Sequence, residues 1–229
     1  MKIITVANRK GGTGKSTVAF NLGYTFAVQK KKVLFIDLDS QYNLTMLCGK
    51  ADISLEEFKS CSTKQVNTYI DILPATKGFP MLEDQINRRI DRNTWLNETI
   101  ISQVTGYDLI IIDTPPALNI LNVNAFCISD LVHIVVNADY FSLAGMQELR
   151  EILDQVKNLN PKLIYKIVLN GYFTGRKFTE AVTDALAGDP AYTGIEIPHR
   201  QHITDMGAKK LPSIENPELY KLFSELAAV

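Results

Sequence analysis

The chain has 229 residues, 46% of them hydrophobic and 21% charged, enough to bury one sizeable core; with no Gly/Ser/Pro-rich linker or internal repeat, a single domain over 1–229 is expected. Its 24 basic and 25 acidic residues leave a formal charge of -1, which excludes a nucleic-acid partner recruited by bulk charge and confines any such contact to a local patch. Three widely spaced cysteines, Cys48, Cys61 and Cys127, offer neither a disulfide framework nor a four-cysteine zinc site, and the longest aliphatic run, Leu109 to Ile112, is far short of the roughly 18 to 20 apolar residues of a bilayer span.

Met1 leads directly into an apolar strand pattern, Ile3 to Ala7, without the features of a signal peptide, so a soluble cytoplasmic protein is expected. Further short aliphatic or β-branched runs follow at Val33 to Ile36, Tyr69 to Leu73, Leu109 to Ile112, Leu131 to Val136, Ile164 to Leu169 and Gly194 to Ile197, each read as a buried strand. Helices are expected over Lys15 to Gln29, Pro80 to Ile90, Thr94 to Thr105, Ser142 to Asn158, Lys177 to Ala187 and Pro217 to Ala228. The stretch Gln41 to Lys64 carries no regular pattern. Strands alternating with helices predict an α/β fold: a mostly parallel twisted sheet, helices on both faces, and binding loops at the carboxyl ends of the strands.

Between the first strand and first helix lies Lys10-Gly11-Gly12-Thr13-Gly14-Lys15-Ser16-Thr17. Glycines there let successive N–H groups and the helix N-terminus face an anion, Lys15 reaches the β and γ phosphates of a nucleotide, and the Ser16 hydroxyl is placed to coordinate Mg²⁺. The common pattern G-x-x-x-x-G-K-[ST] is not met in full, because Arg9 stands five positions before Gly14. The second strand ends Asp37-Leu38-Asp39-Ser40-Gln41, and strand alternation places both carboxylates on one side, where one of them can orient the water that attacks a γ phosphate. A further strand delivers Asp113 before Thr114-Pro115-Pro116, an aspartate positioned to hold the Mg²⁺ hydration shell.

The block Lys10-Gly-Gly-x-Gly-Lys-Ser-Thr resembles the deviant Walker A box of the ParA and MinD group of dimeric P-loop NTPases. Asp113-Thr-Pro-Pro followed by Phe141-Ser-Leu-Ala-Gly is similar to ParA over the second switch region. The resemblance is densest at 1–45 and 107–150 and thinnest at 46–106. It implies that Lys10 crosses a homodimer interface to the phosphates held by the partner copy, that Asp39 positions water, and that Asp37 supports it near the Mg²⁺ shell. Ser40 stands where that family usually has proline. It also implies ATP as the nucleotide, non-specific DNA as a partner, association with the nucleoid in the ATP state, and a centromere-binding, ParB-type protein that stimulates hydrolysis in plasmid or chromosome partition.

No guanine-reading signature follows the strand ending at Leu169, which favours adenine, and the Asn170 amide offers a donor and an acceptor side by side. The resemblance makes Asn170 and Pro198 the adenine contacts; read alone, Asn170 also fits an ordinary turn residue before Gly171, the less favoured of the two readings. Basic residues gather at Arg176, Lys177, Arg200, Lys209 and Lys210, either as a DNA-contacting patch or as solvated helix ends. His133, inside an apolar strand, reads as a packed, hydrogen-bonded core residue. Leu219, Tyr220, Leu222, Phe223 and Leu226 form a core-facing stripe on the last helix, whose Glu218 and Glu225 oppose a MinD-like placement on anionic lipid. A small-molecule ligase or amidase of similar fold would need a substrate pocket in Gln41 to Lys64, and a nitrogenase-type iron protein would need paired cysteines at a dimer seam, which Cys127 alone does not supply.

Overall fold

The structure is a computed structural model and describes residues 1–172, 177–199 and 212–229. Eight strands form one sheet: β1 (Lys2–Ala7), β2 (Val33–Asp37), β3 (Lys64–Gln65), β4 (Ile70–Leu73), β5 (Leu109–Asp113), β6 (Leu131–Asn137), β7 (Ile164–Tyr172) and β8 (Tyr192–Pro198). Their order is β3-β4-β2-β5-β1-β6-β7-β8, and every pairing is parallel except β3 on β4. The chain therefore leaves β1 at the centre of the sheet, with β5 on one side and β6 on the other, which is the kind of switch point where α/β sheets place their ligands.

The aliphatic strands divide their side chains between two faces. Ile4, Val6, Val33, Phe35 and Ile111 pack against α1 (Lys15–Val28) and against α9 (Pro217–Ala228), while Leu34, Ile36, Ile110 and Ile112 face the opposite helices. Those opposite helices include α4 (Phe79–Asn87), α6 (Ile120–Ile128), α7 (Tyr140–Val156) and α8 (Lys177–Ala187). In α9, Leu219, Phe223 and Leu226 are buried, with Tyr220 and Leu222 half-buried beside them, so the expected stripe faces the core.

Several local expectations change. Gln41 to Lys64 holds two five-residue helices, α2 (Asn43–Leu47) and α3 (Leu55–Lys59), and ends at the edge strand β3. The helix expected over Thr94 to Thr105 breaks into a 3₁₀ turn (Arg92–Thr94), α5 (Trp95–Thr99) and a second 3₁₀ turn (Ile101–Gln103). Thr99, Ile100 and Ile101 form a β-branched run that resists regular helix, and burial of Trp95, Leu96 and Ile100 takes over. The pattern missed α6, although Asn119 caps it by accepting from the Leu121 and Asn122 amides and Asn122 returns the bond in a capping box.

His133 is fully buried in β6, on the same face as Leu131 and Val135, but neither ring nitrogen has a hydrogen-bond partner among the described residues. The expected hydrogen bond is absent because this face is aliphatic and the backbone of the flanking strands is used in the ladder. Burial pushes the imidazole down to about 3, with the Lys2 charge adding to the effect.

Candidate active site

The loop after β1 is built from its first residue. Buried Asn8 donates through Nδ2 to the Val135 carbonyl (2.6 Å) and accepts the Lys10 amide on Oδ1 (3.1 Å), tying the start of the loop to β6. Gly12 and Gly14 take φ values of 76° and 88°, in the left-handed region that favours glycine, and turn the chain into α1. Among the described residues α1 has no side-chain cap and no acidic residue in its first turn, so its leading N–H groups and dipole stay available to an anion. A cavity of about 580 Å³ opens at that point, its lining including Gly11, Gly12, Gly14, Lys15, Ser16 and Thr17 of the loop and helix start together with Asp39, Gln41 and Pro116. Thr13 is fully buried beneath the loop. Burial lowers the Lys15 ammonium from its usual value, opposed by the charges of Asp113 and Asp39.

The three strand-end carboxylates have different surroundings. β2 ends at Asp37, so alternation does not continue to Asp39, which follows in a turn held by its amide on Asp37 Oδ1 (3.1 Å) and by the Gln41 amide on Asp39 Oδ1 (3.0 Å). Asp39 lines the cavity, whereas Asp37 is sealed behind it with Oδ2 accepting from the Thr45 amide (2.9 Å) and hydroxyl (2.8 Å). Burial raises the Asp37 carboxyl to about 6, against the pull of the Thr45 hydrogen bonds. Asp113, beside Asp37 in the ladder, is fully buried, and neither of its oxygens has a hydrogen-bond partner among the described residues. Burial and then the Asp37 charge push its carboxyl well above the carboxylate range, with the Ser16 hydroxyl and Lys15 pulling the other way. An orphaned buried carboxylate next to a serine hydroxyl under an anion-binding loop is a donor set suited to Mg²⁺, a hard cation that takes oxygen ligands and keeps water and phosphate as the rest of its shell.

Lys10 lies on the far side of the loop. Its Nζ donates to Asp139 Oδ2 at 2.8 Å, and Asp139 also caps α7 by accepting the Ser142 amide (2.9 Å) and hydroxyl (2.9 Å). Burial works against ionisation of Asp139, but the bonds from Lys10 and Ser142 hold its carboxyl below the usual range. Arg9 pairs with Glu148, so two successive basic residues of the loop are docked on α7. Asn170, two residues before the end of β7, donates to the Thr13 carbonyl at 2.8 Å and lies against Gly14, while Pro198 ends the neighbouring β8. Arg176, Arg200, Lys209 and Lys210 lie outside the described residues, as does the Lys177 side chain, although the Lys177 backbone opens α8.

Sequence reasoning passed over Asn8, Thr45 and Asp139. Asp139-x-x-Ser142 before an amphipathic run is a readable cap signature, but nothing in it points to Lys10, 129 positions away.

A family model described as an AAA domain matches residues 1–165. The sporulation initiation inhibitor protein Soj of Bacillus subtilis is 34% identical over 184 residues, covering 73% of this chain and 71% of Soj. The chromosome partitioning protein ParA of Caulobacter vibrioides is 29% identical over 237 residues, covering 96% of this chain and 86% of that protein. Among solved structures, a putative plasmid partition protein of Borrelia burgdorferi bound to AMPPNP superposes with a TM-score of 0.83 at 23% identity, covering 98% of this chain and 97% of its own, a likeness of fold.

Proposed function

This chain belongs to the ParA family of partition ATPases, and we propose that it works as an ATP-driven switch: ATP and Mg²⁺ assemble a homodimer, the dimer binds DNA without sequence preference, and hydrolysis releases it to drive plasmid or chromosome partition. The observation that carries the reading is the fully buried Asp113 carboxyl beside the Ser16 hydroxyl and Lys15, at the start of α1, which among the described residues has no side-chain cap.

In this reading the loop amides and Lys15 bind the phosphates of ATP, and Asn170 and Pro198 flank the adenine at the ends of β7 and β8. Mg²⁺ held by Ser16 and Asp113 supplies neutralisation of phosphate charge. Asp39, which lines the same cavity, orients the attacking water in line with the γ phosphate, and Asp37 supports it through the Asp39 amide. Lys10 leaves Asp139 when two copies meet and turns to the phosphates bound by the partner copy, stabilising charge that develops in phosphoryl transfer. Arg176, Lys177, Arg200, Lys209 and Lys210 are the DNA contacts we propose, and a ParB-type protein is the stimulating partner. The protein is then cytoplasmic, and on the nucleoid when ATP is bound.

A MinD-like role on membranes needs the apolar face of the last helix for lipid. Burial of Leu219, Phe223 and Leu226 in the core weighs against it, and no described helix is long and apolar enough to cross a membrane.

The test is co-sedimentation of Asp39→Ala, expected to bind ATP without turning it over, with random duplex DNA and separately with anionic liposomes, under ATP, ADP or no nucleotide at two salt concentrations. ATP-specific binding to DNA that weakens with salt and no binding to liposomes is expected. Binding to liposomes alone would replace the partition reading with the membrane one, and binding to neither would overturn both.

A further inference from the structure

Asp39, which lines the cavity from the loop after β2, follows Leu38, whose amide bonds to the Asp113 carbonyl of β5 at 2.9 Å. The Asp39 amide bonds to Asp37 and the Asp39 carboxylate takes the Gln41 amide, both within the same turn. Beyond it Tyr42 adopts φ 47°, a left-handed conformation for a bulky residue, before α2 begins. In-line water attack holds a carboxylate to a narrow tolerance, so the side chain that receives the Asp39 amide, Asp37, must itself have an anchor.

Thr45 supplies that anchor at a fully buried position. Its amide and hydroxyl both donate to Asp37 Oδ2, at 2.9 and 2.8 Å, and its Oγ1 accepts the amide of Ala75, just beyond β4, at 3.0 Å. One hydroxyl therefore joins α2, β2 and the exit of β4, and uses its donor and an acceptor lone pair in doing so. The other oxygen of the same Asp37 carboxylate receives the Asp39 amide, so the chain of bonds runs Ala75, Thr45, Asp37, Asp39 without a break. Ala75 in turn accepts the Ile53 amide at 3.0 Å, which ties the loop after α2 to the same point. Resting on the role given to Asp39 above, we infer that Thr45 is a positioning residue for ATP hydrolysis: it sets the place of Asp39 by holding the Asp37 carboxylate between two strands, without touching the nucleotide.

The experiment compares steady-state ATP hydrolysis, affinity for AMPPNP and melting temperature in wild type, Thr45→Val, Thr45→Ser and Asp39→Ala. Valine keeps the branched shape and removes both functions of the hydroxyl, whereas serine keeps them. The expected result for Thr45→Val is a fall in kcat of about tenfold or more, with KM and AMPPNP affinity within about twofold of wild type. Thr45→Ser is expected to keep kcat within about threefold of wild type. Should Thr45→Val not fold, Thr45→Cys, with its weak donor and acceptor, carries the same comparison against serine. A wild-type rate in Thr45→Val while Asp39→Ala is slow would overturn the assignment of Thr45 alone. Equal losses in the valine and serine variants, or activity and AMPPNP affinity falling together with the melting temperature, would overturn it as well. A wild-type rate in Asp39→Ala would remove the role of Asp39 itself, and the positioning inference with it.

Discussion

Alanine at successive glycines of the phosphate loop is expected to cost graded amounts of stability, and the grading follows from backbone angle and neighbours. At Gly11 an added Cβ meets nothing within 4 Å and φ is outside the left-handed region, so Gly11→Ala is neutral or stabilising by about 0.5 kcal/mol through the unfolded chain. Gly12 also has open space but sits at φ 76°, so Gly12→Ala carries the left-handed strain of about 1 kcal/mol. At Gly14 φ is 88° and the new Cβ would lie 2.2 Å from Asn170 Nδ2, which must then give up its bond to the Thr13 carbonyl. Strain plus one lost hydrogen bond come to about 2–3 kcal/mol. For a chain of this size that is a fall in Tm of roughly 5–10 °C, against roughly 2–4 °C for Gly12→Ala. The assay is thermal melting by circular dichroism without nucleotide. The double variant Gly14→Ala/Asn170→Ala is expected to melt no lower than Gly14→Ala, because the Asn170 bond is already gone in the single variant. Equal shifts at all three glycines, or additive losses in the double variant, would refute the reasoning.

Two further outcomes follow from buried or paired charges. Because the folded His133 imidazole is lowered to about 3 from an ordinary value near 6.5, its contribution is fully present above about 6.5 and is lost as pH falls toward 3, by about 1.4 kcal/mol per pH unit. Wild type at pH 5 is expected to lose roughly 4–8 °C relative to His133→Phe, each taken against its own value at pH 7.5; Asp37, which titrates in the same window with the opposite sign, cancels in that comparison, and parallel pH profiles would contradict the assignment. Asp139→Asn keeps a good cap on α7 but removes the ion pair that holds Lys10 within its own chain. With both side chains about a third exposed, the pair is worth about 0.5–1 kcal/mol, so the nucleotide-dependent dimerisation proposed above, measured by light scattering with AMPPNP, should need about two- to fivefold less nucleotide, and an unchanged midpoint would argue that Lys10 is not held back.

How much of this was legible depends on whether the signal was contiguous. The strands of the sheet centre could be read because burial on both faces demands unbroken aliphatic runs, as in Leu109 to Ile112. α2 and α3 escaped because five residues do not complete the two turns that reveal a helical period, and β3 because Lys64 and Gln65 carry no apolar alternation at an antiparallel edge. α6 was within reach, since Asn119 and Asn122 form its cap in the sequence itself, but its nearly all-apolar composition hid the periodicity.

The sequence by itself determined the glycine-rich loop after β1, the order of β1, β2 and β4 to β8 along the chain and the identity of the carboxylates that end β2 and β5, because each is written in neighbouring residues and acts through local backbone geometry. Tertiary structure alone decided how the side chains sit in place: Asp113 fully buried beside Asp37, Asp37 engaged by Thr45, Lys10 held by Asp139, and His133 surrounded by aliphatic side chains. Desolvation and hydrogen bonding set the charge state and orientation of a side chain, and both depend on atoms that the fold brings from distant positions, so no window of the sequence contains them.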